Sequence, residues 1–404
     1  MKKKKEKRWI KKRHQAVRNI VGLIYGAYVK KKYNANIRKF DNPGKKPLLI
    51  LYNHQTGFDQ FFVGLSFKEH VYYLATEDIF SMGFLSKLIK FLVAPIPIKK
   101  QSTDLRAVLN CIKVAKEGGS IAIAPEGNRT FNGRTVYIKP GIVSLAKRLG
   151  LPIAFYRIEG GYGVQPRWSD VVRGGGLTAG VSRVMYPDEY MSLSDDELYE
   201  VICRELYVDE ACADREFHHS SLAEYLERAI YVCPYCGISR LESRGDTVEC
   251  LSCRRQVKYL PSKEFQGVGF DFPFRFVNDW YEYQMNFVNS LDMDALSEEA
   301  ICTDEVTLSR VILYKKKKRI YKKAALALYN DRLTVLSGGK LSEYPLDGIS
   351  AVSVLGKNKL NLYVGKDVFQ ISGSPRFCAL KYVNLYHRYK NLKKGEKNAE
   401  FLGL

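Results

Sequence analysis

Leu48-Leu49-Ile50-Leu51-Tyr52-Asn53-His54-Gln55-Thr56-Gly57-Phe58-Asp59 decides the fold of this 404-residue chain. Five apolar, β-prone residues run without alternation into a polar loop, and a helical pattern follows over 59–68. A strand apolar on every side is buried on both faces, the situation of a parallel sheet covered by helices. The flanking sequence repeats the alternation. Strands are predicted at 48–52, 71–75, 94–98, 120–124, 152–157 and 178–185, with helices near 59–68, 80–92, 103–117 and 140–149. The expected fold class is therefore α/β, a mostly parallel sheet flanked by helices. In such sheets the ligand crevice lies beyond the carboxyl ends of the strands, so the residues just after strands are where chemistry belongs.

Composition excludes several classes. The chain is 46% apolar and 26% charged, too apolar for a disordered protein, and it shows no internal repeat. No run approaches the roughly 18–20 apolar residues of a spanning helix, so none is expected. Nine cysteines, an odd count in a long chain, argue against a secreted disulfide scaffold. The net charge of +21 is concentrated: residues 1–46 carry +15 and Lys315–Lys323 carry +7, leaving a nearly neutral body. Two basic handles on such a body point to a polyanionic partner, an anionic membrane surface or nucleic acid. In the first handle Val17, Ile20, Val21, Ile24 and Tyr28 fall on one helical face between lysine clusters. Gly22, Tyr25 and Gly26 interrupt the run, and Lys30-Lys31-Lys32 stands where a signal peptide has its cleavage site. The expectation is a basic amphipathic helix in the headgroup region of a membrane; a helix packed on its own domain, with a solvated tail, is the alternative.

Two loops at the predicted crevice carry chemistry. His54 precedes Asp59 by five residues across a turn containing Gly57, a spacing that lets the carboxylate meet one imidazole nitrogen and leaves the other as a base. After strand 120–124 comes Pro125-Glu126-Gly127-Asn128-Arg129-Thr130, which puts a carboxylate, a guanidinium and backbone donors in one turn suited to a phosphate or polar headgroup. For Glu126 an ion pair that supports the loop is an equal alternative.

These residues resemble the glycerolipid acyltransferases, the lysophosphatidate (1-acylglycerol-3-phosphate) acyltransferase family. Asn53-His54 with Asp59 resembles its N-H-x4-D motif, and Glu126-Gly127-Asn128-Arg129-Thr130 its E-G-T-R-S. Pro97-Ile98-Lys99-Lys100 stands where the family carries a basic substrate-binding motif, and Leu151-Pro152-Ile153 resembles its later V-P-[IV]. The likeness covers roughly residues 45–190. It implies that His54, oriented by Asp59, activates an acceptor hydroxyl, and that Lys99, Lys100, Glu126, Gly127 and Arg129 bind substrate. It also implies acyl-CoA or acyl carrier protein as thioester donor, a lysophospholipid or glycerol phosphate as acceptor, and a place in phospholipid biosynthesis. Lysines stand where the family commonly has arginine; they hold a phosphate as point charges, not as a bidentate fork. The apolar stripe Met82, Phe84, Leu85, Leu88, Ile89, Leu92 and Val93 suits a membrane contact or an acyl groove, and equally a core under the sheet.

Downstream, Cys233-x2-Cys236 and Cys250-x2-Cys253 have the spacing of a four-thiolate Zn²⁺ site and resemble a zinc ribbon. Four protein ligands leave no open position, so the metal is expected to be structural. Residues 301–372 read as short strands followed by a helix, resembling a pleckstrin-homology or GRAM-like barrel. Expected boundaries are 1–45 for the basic membrane segment, 46–215 for the acyltransferase domain, 216–300 for the ribbon region, 301–392 for the barrel and 393–404 for a tail. The combined expectation is a peripheral enzyme on the cytoplasmic face of a membrane. The rival is a non-catalytic ribbon protein that binds nucleic acid or protein; it leaves His54, Asp59, Glu126 and Arg129 unexplained as a set. The ribbon also has few basic residues, Arg254, Arg255 and Lys258, to offer a nucleic acid.

Overall fold

Strands that are apolar on both faces build the first sheet. β1 (Ala35–Ile37), β2 (Leu49–Tyr52), β3 (Val71–Thr76), β4 (Ile96–Ile98), β5 (Ser120–Ile123), β6 (Ile153–Glu159) and β7 (Leu177–Met185) lie in the order β1-β7-β6-β2-β5-β3-β4. The computed structural model describes residues 8–42, 44, 46–76, 79–98, 104–212, 214–296, 299–312 and 317–395. β2 runs parallel to β5 and β6, and β3 runs parallel to β5 and β4. β7 is antiparallel to β6 and carries β1, a strand the sequence pattern does not predict, parallel at its outer edge. Pro97 sits in β4 at the opposite edge, where a missing N–H breaks no central ladder.

Alternate residues of the central strands feed two cores. Leu49, Leu51, Ile121, Ile123 and Phe155 pack with α4 (Leu105–Lys116), α5 (Gly141–Leu149) and α8 (Asp195–Leu206). Ile50, Tyr52, Ala122 and Tyr156 pack on the other face with α1 (Lys12–Tyr33) and α2 (Asp59–Ser66). Each fully buried Leu or Ile side chain contributes about 1.5–3 kcal/mol. Helix α3 (Phe84–Val93) and two short helices, α6 (Gly161–Val164) and α7 (Pro187–Tyr190), complete this unit.

The basic N-terminal segment is docked on that unit. Trp9 Nε1 donates to the Ala94 carbonyl at 3.0 Å, and the amides of Trp9 and Ile10 donate to the two Glu117 carboxylate oxygens at 2.9 Å each. His14, Gly26, Val29 and Tyr33 of α1 are buried. The apolar residues Ile20, Leu23, Ile24 and Tyr28 nevertheless stand exposed. Helix α3 does not form a core under the sheet: Ser86 is its one buried residue, while Phe84, Leu85, Leu88 and Phe91 are exposed. Among the described residues no helix is long and apolar enough to cross a membrane.

The remaining chain makes two β modules. A knuckle hairpin, β8 (Val232–Cys233) with β9 (Gly237–Ile238), precedes the meander β10 (Leu241–Arg244), β11 (Thr247–Cys250), β12 (Gln256–Tyr259) and β13 (Phe265–Gly267), and α9 (Val277–Ser290) follows. The last module is an antiparallel seven-stranded sheet: β14 (Cys302–Arg310), β15 (Lys318–Leu328), β16 (Arg332–Ser337), β17 (Lys340–Pro345), β18 (Ile349–Leu355), β19 (Lys359–Val364) and β20 (Asp367–Gly373). Helix α10 (Ala379–Lys393) closes it through buried Leu380, Val383 and Tyr386. Lys318–Lys323 of the second basic run lie within β15; Lys315 and Lys316 fall outside the described residues. One core runs from Trp168 of the first unit through the ribbon region into the barrel.

Candidate active site

The loop after β2 is folded by one carboxylate. Asp59, fully buried at the start of α2, accepts from the Gln55 amide (2.7 Å), the Thr56 amide (2.9 Å) and the Thr56 hydroxyl (2.7 Å). Its Oδ2 also lies 2.7 Å from His54 Nδ1. Asp59 can only accept from a protonated Nδ1, so the bond selects the tautomer that leaves Nε2 with a free lone pair. Gly57 is not in the left-handed region, so this turn does not require glycine's conformational freedom. A Cβ there would lie 3.7 Å from Arg129 Nη1, which places the guanidinium against the loop backbone. Asn53 anchors the strand end: its side-chain amide donates to the Ile158 carbonyl and its Oδ1 accepts the Ile158 amide, both at 2.8 Å.

The second loop locks onto the first. Glu126 Oε1 accepts the His54 amide at 2.7 Å, and Oε2 accepts the Val136 amide at 2.9 Å. The carboxyl is therefore a staple between two loops; neither the Arg129 ion pair nor a cavity-facing position is observed for it. Burial pushes its pKa up to about 8, against the lowering effect of the two amides. Gly127, at φ +70°, turns the chain after Glu126 and lines the cavity with Asn128 and Arg129. Burial disfavours the Arg129 charge, with Asp59 and Tyr33 opposing that effect. Lys99 and Lys100 lie outside the described residues.

His54 and Arg129 face one cavity of about 1080 Å³. Its apolar walls come from Val17 and Val21 of α1, Leu65 of α2, Ile89 and Val93 of α3, and Ile142 of α5. The α3 stripe is thus split, with Ile89 and Val93 on the groove and Phe84 and Leu88 on the outside. Sequence reasoning missed a third contributor: Arg167, Val354 and Gly356 also line the cavity, so the barrel reaches the active-site unit. No motif marks them.

The four cysteines of the ribbon converge. The Cys233, Cys236, Cys250 and Cys253 sulfurs lie within 4.8 Å of one another, and Cys233 Sγ to Cys253 Sγ is 3.8 Å. Tetrahedral Zn–S bonds of about 2.3 Å require sulfur separations of about 3.8 Å, so the donor set fits that ion. Both knuckles use a left-handed residue after their second cysteine, Gly237 (φ +73°) and Arg254 (φ +62°). Two of the ribbon's basic residues are engaged: Arg254 pairs with Glu249 at 3.0 Å and Arg255 lies 4.2 Å over the Tyr235 ring.

The mostly parallel sheet thus places a histidine–aspartate pair and a largely apolar groove at its crevice loops. Residues 29–158 match the model of the Acyltransferase family. It is 23% identical over 171 residues to the chloroplastic 1-acyl-sn-glycerol-3-phosphate acyltransferase BAT2 of Brassica napus, covering 41% of this chain and 48% of that protein. Over 119 residues it is 29% identical to the 1-acyl-sn-glycerol-3-phosphate acyltransferase of Borreliella burgdorferi, covering 28% and 47%. The chain thus spans about half the length of these curated relatives. The crystal structure of the 1-acyl-sn-glycerophosphate acyltransferase PlsC from Thermotoga maritima aligns with TM-score 0.39 and 19% identity, over 47% of this chain and 78% of that one.

Proposed function

We propose that the chain transfers a fatty acyl group from an acyl thioester, acyl-CoA or acyl carrier protein, to the free hydroxyl of a lysophospholipid, lysophosphatidate first. The observation that carries this reading is the 2.7 Å His54–Asp59 contact at the wall of a 1080 Å³ groove that also holds Arg129. His54 Nε2 takes the hydroxyl proton as the acceptor oxygen bonds to the thioester carbonyl carbon. The tetrahedral adduct then expels the thiolate, which recovers a proton from the imidazolium. Asp59 keeps the ring oriented and offsets its transient charge. Arg129 holds the acceptor phosphate, and the apolar walls hold the acyl chain, so the reacting atoms meet in register. The names of the two curated relatives support the acceptor class.

The same reading places the protein peripherally on the cytoplasmic face of an anionic membrane. Leu23 and Ile24 on α1, and Phe84 and Leu88 on α3, are exposed on the two helices whose Val21 and Ile89 line the groove, and Lys30, Lys31 and Lys32 close α1. Apolar residues at acyl depth with lysines at headgroup level are the pattern of an interfacial anchor. Zn²⁺ is assigned to Cys233, Cys236, Cys250 and Cys253 as a structural ion that ties the ribbon together. The test is to incubate the chain with lysophosphatidate and acyl-CoA and follow free thiol and diacyl product together. Stoichiometric appearance of both supports the reading, and no product with any of several lysolipid acceptors and both thioester donors refutes it.

A further inference from the structure

Arg167 is a buried cation with no carboxylate within ion-pairing distance among the described residues. Its guanidinium spends its donors on three carbonyls: Arg129 at 2.8 Å, Val354 at 2.9 Å and Gly356 at 2.8 Å. It also stacks 4.2 Å over the Phe131 ring. Two of those carbonyls belong to the barrel, Val354 near the end of β18 and Gly356 in the β18–β19 turn, and the third to Arg129, which itself lines the cavity. The next turn residue, Lys357, binds Asp170 at 2.8 Å, and Asp170 is held in turn by Arg228. The charged groups on the described cavity wall are Arg18, Arg129, Lys139 and Arg167 against the lone carboxylate of Asp104, which caps α4 through the Arg106 and Ala107 amides. Asp59 offsets the charge of Arg129 alone, so four cations facing one carboxylate leave the described wall net positive, a surface that favours an anion.

We infer that Arg129, Arg167 and the Val354–Gly356 segment at the end of β18 form one anion-binding end of the groove, built for a phosphate monoester, so that the barrel is part of acceptor recognition. Arg167 is the link: it fixes the barrel turn against the Arg129 loop and adds its field to the same point. This deepens the acyltransferase reading and rests on it for the identity of the phosphate's carrier.

Gly356 supplies the test. It has φ +62° and no atom within 4 Å of a Cβ built on it, and Asn and Asp both tolerate that conformation. Gly356→Asn and Gly356→Asp therefore differ in one negative charge at the cavity rim. Acceptor kinetics are measured for lysophosphatidate and for a monoacylglycerol of the same chain, and thermal shift is measured with inorganic phosphate against chloride at equal ionic strength. The expected result is a lysophosphatidate KM at least tenfold higher in Gly356→Asp than in Gly356→Asn, with monoacylglycerol and donor KM values within twofold. The phosphate-induced shift seen in the wild type and Gly356→Asn is lost in Gly356→Asp. Equal lysophosphatidate KM values in the two variants overturn the inference even if inorganic phosphate binding differs. So does a wild-type protein that phosphate does not stabilise. A wild type that binds phosphate but acylates no acceptor supports the anion site while refuting the acyltransferase reading.

Discussion

Glu126 Oε1 accepts the backbone amide of His54 at 2.7 Å, so the second crevice loop sets the position of the residue at the head of the first. The motif halves, 72 residues apart, act as one unit. With its other oxygen on the Val136 amide, the carboxyl is spent on backbone donors, and burial raises its pKa to about 8. That makes stability depend on pH with a definite sign. Between the unfolded carboxyl value near 4.3 and the folded value, the native state holds a proton the unfolded state lacks, so this group's contribution is complete below about pH 4 and declines as pH rises toward 8. Glu126→Gln, which cannot titrate, removes that slope, and it also turns an amide N–H toward one backbone donor. Chemical denaturation from pH 5 to 8 checks this: the wild-type minus variant difference should shrink as pH rises, and a flat or growing difference contradicts it.

Asp59→Asn separates orientation from mere presence of the histidine. Asn retains the size but offers one acceptor where Asp59 serves four donors, and the His54 ring loses its tautomer selection. We expect kcat to fall about 10²–10⁴-fold with acceptor KM little changed. Stability should drop by roughly 1–3 kcal/mol from the amides left unpaired. Steady-state kinetics beside urea unfolding read both, and wild-type kcat would refute the positioning role.

The interfacial surface is tested by charge. Ile24 and Phe84 are 73% and 79% exposed, so replacing each by Glu leaves the fold intact. The double variant should bind anionic vesicles at least tenfold less tightly than wild type in co-sedimentation, while retaining turnover of a soluble short-chain acceptor. Equal binding of both proteins, or equal wild-type binding to neutral and anionic vesicles, removes the headgroup argument.

Metal removal has its own outcome. One Zn²⁺ per chain is expected by elemental analysis, lost in Cys233→Ser. Because Trp168 shares one core with the ribbon and barrel, that variant should melt at lower temperature as a whole protein instead of losing only the ribbon. Metal-free wild type with unaltered stability contradicts the assignment.

The legible parts of this molecule are the local ones. Strand β2 declares itself because five unbroken apolar residues admit few other fates, and His54 and Asp59 meet across a single turn. The ribbon's cysteines are equally short-range in sequence. What stayed hidden depends on distant backbone. Three-residue β1 exists because β7, more than a hundred residues later, offers it an edge. Glu126 reads as a substrate ligand until its two oxygens are seen on main-chain amides. Arg167 carries no motif, and its partner carbonyls at Val354 and Gly356 are 187 and 189 residues away. Backbone carbonyls leave no trace in side-chain pattern, which is why the barrel's entry into the active-site wall could not be read from composition or spacing.

The most direct measurement is single-turnover acyl transfer from acyl-CoA to lysophosphatidate by wild type and His54→Ala at equal, saturating concentrations of both substrates. In the proposed mechanism His54 Nε2 takes the acceptor's proton, so the account predicts a rate lower by at least about 10³-fold with the fold unchanged by circular dichroism. Transfer by His54→Ala at the wild-type rate would contradict it.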